Sequence, residues 1–387
     1  MCKLLFSLVT IFFVSISFSH QTVYFFLEAY DDVFAQSARD NLHTPFIQLK
    51  QSLAQMDYRV KSIREQEFLD LQLDSTDFLI CFDLPGYSCY TSRPPEKKYI
   101  DKLKVFPRNQ MILFLSEPPT VKACTYDLCY HSFFKRVYTL SDDLVDFKHY
   151  FKFFETVPIF YFHGEHSSFE KRKLAVLLSS KRHSTHPLEL YSQRCAVINF
   201  FERVAPSQFD YYGNGWQKTR CYRGFAQSKI NTFTSYKFCF CYENMRDFAG
   251  YITGEKIFYP MICGAIPVYW GPQNITEYIP SNCFVDRRQF GSDQALYEHL
   301  RSMSKERYDE YIRNIKIYLN SEQAQLFSTE YFVFTVLDAL FDRDCIKNYY
   351  HACQLEKFKR LDALYRSIWV KNRTSKYTGA GLLPCFG

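Results

Sequence analysis

None of the 14 cysteines in this 387-residue chain belongs to a CxxC pair, and that absence removes the usual basis for a zinc knuckle. Cys239 and Cys241 alternate with Phe238 and Phe240 in YKFCFCYE, the pattern of a buried parallel strand. The folded body also lacks an excess of one charge. Residues 346–387 hold eight Lys and Arg against Glu356 and Asp362, which accounts for the whole formal net charge of +6. A nucleic-acid binder would carry a basic face on its body as well, so no nucleic-acid partner is expected. No internal repeat is visible, and the N-terminal apolar run from Leu4 to Phe18 is interrupted by hydroxyl residues and short for a spanning helix.

What is present is globular and aromatic. Hydrophobic residues make up 47% of the chain and charged residues 23%, which is enough apolar material for two domains of ordinary size. The surplus of 39 Phe and 30 Tyr suits a sugar-handling surface, although core is its commoner use. TVYFFLEAY, TDFLICFDL and MILFLSE read as near-continuous apolar strands, with a helix expected over Ser37 to Met56. A second series runs from LAVLLSS through a helix at Pro187 to Val204, a strand at Tyr236 to Tyr242 and a strand around Pro267 to Trp270. Strand and helix alternate in both, so the fold class is α/β, with two Rossmann-like doubly wound domains facing a cleft at the carboxyl ends of their strands. The expected division is a leader over 1–19, an N-terminal domain over 20–160, a C-terminal domain over 161–345 and a basic tail over 346–387.

Three strand ends carry candidate chemistry. Glu117 follows an apolar strand and precedes Pro118 and Pro119, which fix its loop, so it is a candidate general base; a solvated loop acid is the plainer reading. Arg194 lies one to two turns into the helix opened by Pro187, where an exposed helix arginine is the commoner explanation. In YITGEK, Thr253 is placed to cap a helix and Glu255 suits its first turn, whereas Lys256 opposes the helix dipole there and calls for another partner, such as a phosphate. Glu243, Asn244 and Tyr251 lie nearby.

YKFCFCYEN, YITGEK, GAIPVYWGPQN and TEYIPSNCFVDRRQF together resemble the signature of the alpha-1,3-fucosyltransferases of glycosyltransferase family 10, strongly over Lys173 to Phe290. The resemblance is weaker in FLSEPP and VYTLSDDLVDFKHYFKF of the first domain. It implies a GT-B fold and an inverting transfer of L-fucose from GDP-L-fucose to a glycan hydroxyl, with the 3-hydroxyl of N-acetylglucosamine or glucose the expected position. By motif position Glu117 is the base, Arg194 meets the pyrophosphate, and Asn244, Tyr251, Glu255 and Lys256 belong to the donor site, with Glu255 on the ribose and Lys256 on phosphate. No divalent ion is expected to be essential; Asp142 and Asp143 would be the metal carboxylates otherwise. The alternatives are a transferase of another GDP-sugar and a catalytically silent glycan-binding protein. Two departures from the signature stand out. Gly254 is an extra residue, and Pro260 removes a helical hydrogen bond, so the helix is expected to break or begin late and Tyr251 to shift in phase against Glu255 and Lys256.

Leu355, Phe358, Leu361, Leu364, Tyr365, Ile368 and Trp369 recur near helical spacing among the basic residues of the tail. That is an amphipathic helix for an anionic membrane or for the protein's own surface. The leader reads as a cleaved signal or a short membrane anchor. Membrane association is therefore expected, in the Golgi or secretory lumen of a eukaryote or on the cytoplasmic face of a bacterial inner membrane. Asn274 and Asn372 stand in glycosylation sequons, that of Asn274 being read as incidental. Cys345, Cys353 and Cys385 are candidates for disulfides.

Overall fold

Near-continuous apolar strands need cover on both faces, and the chain provides it twice. The computed structural model describes residues 21–27, 33–34, 39–86, 93–158, 168–341 and 352–374. The leader, Cys345 and Cys385 lie outside these, as do the side chains of Cys353 and Asn372. In the first sheet, β1 (Thr22–Leu27), β2 (Arg59–Ile63), β3 (Phe78–Phe82), β4 (Met111–Leu115), β5 (Arg136–Thr139) and β6 (Tyr150–Lys152) are parallel in the order β2-β1-β3-β4-β5-β6. In the second, β7 (Lys173–Leu178), β8 (Phe209–Tyr212), β9 (Tyr236–Tyr242), β10 (Ile266–Trp270) and β11 (Val285–Asp286) are parallel in the order β11-β10-β9-β7-β8. In both sheets the chain winds first to one side of its opening strand and then to the other. The order therefore reverses between β1 and β3 and again between β7 and β9, where a doubly wound sheet opens a crevice for ligands.

Two helices start later than their sequence signals suggest. The first spans Thr44–Gln55, with Pro45 in its first turn. The other spans Tyr191–Val204 and not Pro187 onward. Glu189 bridges to Met245 and its carboxylate accepts from Ser192 N at 2.9 Å, so the segment after Pro187 is held as a turn and the helix begins beyond it. Arg194 consequently sits in the first turn. It is also buried, at 4% exposure, where an exposed helix arginine was the plainer expectation.

The chain crosses between the sheets more than once. Helix Thr329–Leu340, expected to belong with the second domain, lays Phe332, Val333, Val336 and Leu337 into the same core as Val23, Phe25, Leu49 and Leu53. The tail is helical over Ala352–Thr374, and its stripe is spent on the protein: Phe358, Leu361, Tyr365 and Ile368 are buried, with Leu355, Leu364 and Trp369 packed alongside. Of the two uses expected for this stripe, packing on the protein's own surface is the one it takes, and its apolar side is not open to a lipid surface. No described helix is long and apolar enough to cross a membrane.

Asp142 fastens these parts together. Its buried carboxylate accepts from Lys152 Nζ at 2.9 Å, Asn274 Nδ2 at 2.8 Å, Tyr278 Oη at 2.7 Å and Tyr365 Oη at 3.3 Å. Lys152 Nζ also donates to the carbonyls of Leu140 and Gly250. Gly250 has φ of +79°, and a Cβ there would lie 2.4 Å from both the Asp142 carboxyl and Lys152 Nζ, so only glycine fits. This network takes in two residues singled out from the sequence. Asn274 is 2% exposed and hydrogen-bonded, so its sequon is not accessible in the folded chain. Asp142, the alternative metal carboxylate, is occupied by protein donors.

Candidate active site

The candidate cleft opens at the carboxyl ends of β7, β8 and β9, across the point where the strand order reverses. It measures about 300 Å³, and Ser179, Arg194, Tyr212, Asn244, Glu255 and Lys256 are among its walls. Gly213, just past β8, has φ of +136°; a Cβ would lie 2.1 Å from the Ser179 carbonyl, so the two strand ends can meet only with glycine there.

Helix Gly254–Ile262 brings the charged pair to this cleft. It begins at the extra residue and runs through Pro260 without a break, which corrects the expected late start. The reason for the glycine is external to the helix. A Cβ at Gly254 would lie 2.7 Å from the Glu155 carbonyl and 2.7 Å from Val157 Cγ2, so the chain between the sheets packs directly on the helix start. Thr253 is the capping residue by position, but its side chain does not cap. Instead Thr253 N donates to Glu243 Oε1 at 2.8 Å, and Thr253 Oγ1 accepts from Lys256 Nζ at 3.1 Å.

Lys256 is aimed by three acceptors: Glu243 Oε2 at 3.0 Å, Thr253 Oγ1 and Asn244 Oδ1 at 3.4 Å. Glu243 is fully buried and also accepts from Tyr269 Oη at 2.9 Å, so a carboxylate at the end of β9 fixes the ammonium at the cleft edge. Glu255 pairs with Lys229 Nζ at 2.5 Å. Arg194 donates to Ser179 Oγ, to the Tyr242 and Glu243 carbonyls and to Asn244 Oδ1. Its guanidinium thus ties β7 to the end of β9 while lining the cleft. Tyr251 is set apart from these residues. It is 1% exposed, packs with Phe248 in the first domain's core and does not line the cleft; burial, then the carboxylates of Glu243 and Glu117, push its phenol well above the usual range.

Glu117 faces the pair from the other sheet. It lies two residues past β4, and Asp83 holds the loop by accepting from Ser116 N and Ser116 Oγ, each at 2.8 Å. Tyr126 Oη donates to the Glu117 carbonyl at 3.0 Å. Burial raises the Glu117 carboxyl to about 7, the nearby Asp83 carboxylate adds to the rise, Lys256 and Lys122 oppose it, and Glu255 raises it further. The first domain's carboxyl and the second domain's pair therefore share one electrostatic environment. A carboxyl that ionises near neutrality is suited to taking a proton from a hydroxyl.

Arg194, Asn244, Glu255 and Lys256 are thus brought around one cleft, Glu117 is in electrostatic reach of Lys256 and Glu255 from the other sheet, and Tyr251 lies in the first domain's core. Asp83, Glu243 and Lys229, which hold these side chains or their loops, were not among the expected site residues. Glu243 had a visible signal, a carboxylate at the end of an otherwise apolar strand. Among the described residues no group of three or more His, Cys, Asp and Glu side chains is arranged to hold a metal ion.

Comparison with known proteins bears on the fold and on the C-terminal half of the chain. Residues 168–339 match the model of the glycosyltransferase family 10 (fucosyltransferase) C-terminal domain. An alpha-(1,4)-fucosyltransferase from Arabidopsis thaliana is 33% identical over 78 residues, 20% of this chain and 19% of its own length. Human alpha-(1,3)-fucosyltransferase 7 is 26% identical over 124 residues, 31% of this chain and 35% of its own length. The matched stretches thus span about a fifth and about a third of those relatives. A solved glycosyltransferase from Rickettsia africae shares the fold, with a TM-score of 0.51 at 11% identity over 86% of this chain and all of that one. The chain has the GT-B arrangement, and its residues 168–339 are similar to the C-terminal domain of the family 10 glycosyltransferases, the fucosyltransferases.

Proposed function

We propose that the chain is an inverting fucosyltransferase that moves L-fucose from GDP-L-fucose to a glycan hydroxyl, with the 3-hydroxyl of N-acetylglucosamine or glucose the first position to test. The reading rests on Glu117, raised to about 7 and in electrostatic reach of Lys256 and Glu255, which line the cleft. The names of the plant and human relatives supply the sugar. Inversion needs a single displacement. The Glu117 carboxylate takes the acceptor proton on one face of the sugar, and the nucleoside diphosphate leaves on the other. Charge builds on the leaving diphosphate, and the Lys256 ammonium with the amides that open helix Gly254–Ile262 can receive it. The direct test is GDP-L-fucose with a panel of N-acetylglucosamine and glucose acceptors, with the anomeric configuration of the product read by NMR. A retained configuration, or transfer of a different sugar from its GDP donor in preference to fucose, would overturn the proposal.

Two expectations follow for the donor site. Removing the ammonium in Lys256→Ala costs a charge-assisted hydrogen bond of roughly 1.5 to 3 kcal/mol, so GDP should bind about tenfold weaker or worse in calorimetry. Parent-like affinity would move the diphosphate elsewhere. Chelation of divalent ions should leave transfer intact, because cationic side chain and amides suffice at the leaving group; complete loss restored by manganese would count against this. Membrane association, in a eukaryotic Golgi or secretory lumen or at a bacterial inner membrane, is part of the same proposal and rests on the leader.

A further inference from the structure

Phe225, Ala226 and Lys229 form one wall of the cleft, and that wall is not held by its own sheet alone. It belongs to a short arch between two fixed points. At one end the chain returns along β8: Tyr211 N donates to the Cys221 carbonyl at 3.0 Å, Arg223 N to the Tyr211 carbonyl at 3.0 Å and Gly213 N to the Gly224 carbonyl at 2.9 Å. Gly224 then turns with φ of +79°, and Phe225 beyond it lines the cleft. At the other end the arch runs into helix Lys229–Phe233, and there the anchor comes from the first domain. Asp40 Oδ1 accepts from Ser228 Oγ at 2.5 Å, and Asp40 Oδ2 accepts from Lys229 N at 2.8 Å.

The backbone of Asp40 is shaped for this reach. Asp40 and Asn41 both lie in the left-handed region, with φ of +55° and +59°, just before helix Thr44–Gln55. Asp and Asn enter that region more readily than most side chains, yet two in succession persist only where neighbours hold them. Those neighbours belong to both domains. Leu42 packs on the second domain's core, while Leu49 and Leu53 of the helix that follows lie in the first. The Asp40 carbonyl accepts from Tyr259 Oη at 3.4 Å, so the residue also touches helix Gly254–Ile262. Lys229 Nζ and Glu255 Oε2, 2.5 Å apart, join the same two elements at the cleft wall. One residue of the first domain therefore braces both sides of an ion pair in the second.

We propose that Asp40 is a positioning residue for the donor nucleotide, holding Lys229 in the cleft wall so that its ammonium stays on Glu255. The inference rests on the donor reading given above. Its consequence is electrostatic. A diphosphate at Lys256 lies beside Glu255, a carboxylate of its own sign, and the Lys229 ammonium offsets that charge only while its backbone is kept within reach. Asp40 does not create the helix it holds, because Ser228 Oγ accepts from Asn231 N at 3.1 Å and caps it from within. Its loss should therefore misplace the wall and spare the fold.

Calorimetry with GDP on the full chain, together with initial rates in GDP-L-fucose, tests this. Lys229→Met should bind GDP about tenfold weaker, since it leaves the Glu255 charge uncompensated. Asp40→Ala should bind GDP about fivefold weaker, with KM for GDP-L-fucose raised by a similar factor and kcat changed less. The double variant separates positioning from general support. If Asp40 acts through Lys229, adding Asp40→Ala to Lys229→Met should weaken GDP by less than about twofold more, whereas independent losses would multiply to about fiftyfold. Asp40→Asn, which keeps one carbonyl acceptor, should fall between the parent and Asp40→Ala and decides the matter if the alanine variant does not fold. The inference is overturned if the folded Asp40 variant binds GDP as the parent does, or if its loss multiplies with that of Lys229→Met. A parent that binds no GDP at all removes the donor reading and this inference with it, whereas a GDP-binding parent with unchanged Asp40 variants removes this inference alone.

Discussion

Glu117→Gln is expected to lower transfer by about two to four orders of magnitude while leaving GDP binding within a factor of two, because it keeps size and most hydrogen bonding but removes basicity. The parent's pH profile should carry the same signature. A carboxyl raised to about 7 is protonated, and useless as a base, at lower pH. The rate should climb with pH, about tenfold per unit, and level off above roughly 7. In Glu117→Gln the residual rate should lose that limb. Lys256 and Lys122 hold the carboxyl down against burial and Asp83, so Lys256→Ala should move the limb of the remaining activity to higher pH. If Glu117→Gln abolishes GDP binding in a folded protein, or keeps the parent's rate, the role of base belongs elsewhere.

Asp142→Ala should be the most damaging substitution outside the cleft. It leaves the Lys152 ammonium buried without its anion, and the Asn274 amide and the Tyr278 hydroxyl without their acceptor. Breaking one side of a buried pair costs about 3 to 5 kcal/mol, far more than a surface pair. Burial already lowers the Lys152 pKa against the pull of Asp142. Without the carboxylate it should fall further, and part of the cost is met by neutralisation. Asp142→Asn keeps an acceptor for Asn274 and Tyr278 and should be milder. Urea unfolding followed by near-ultraviolet circular dichroism would measure both, and a midpoint for Asp142→Ala equal to the parent's would refute the account. Because the network ties residues of both sheets and the tail, the alanine variant should also unfold in more than one step.

The sheets were legible because their physics is local. TDFLICFDL, MILFLSE and YKFCFCY announce strands covered on both faces, and the structure has β3, β4 and β9 within them. The helix starts were less legible. Pro187 looked like a first turn, but Glu189 pairs with Met245 from another part of the chain, and no window around residue 187 contains that partner. Gly254 and Pro260 looked like faults in a motif. The glycine answers to the Glu155 carbonyl, about a hundred residues earlier, and Pro260 costs one hydrogen bond in a helix whose residues Ile257 to Ile262 are all buried. Glu117, Asn244, Glu255 and Lys256 could be picked out by motif and strand-end position. Tyr251 carried the motif's register but lies in the first domain's core.

Helix Thr329–Leu340 gives the molecule an unusual birth order. Its Phe332 ring lies 5.4 Å from that of Phe46, and the Asp338 carbonyl accepts from Arg136 at 2.6 Å, so it covers the sheet made first. A ribosome releases β1 to β6 long before it reaches residue 329. Until then the core formed by Phe25 of that sheet with Leu49 and Leu53 of helix Thr44–Gln55 lacks part of its cover, and such a surface invites chaperones or neighbouring chains. The second sheet is contiguous in sequence, but its core also takes Phe358, Leu361, Tyr365 and Ile368 of the tail, so each half waits for a helix made after both sheets.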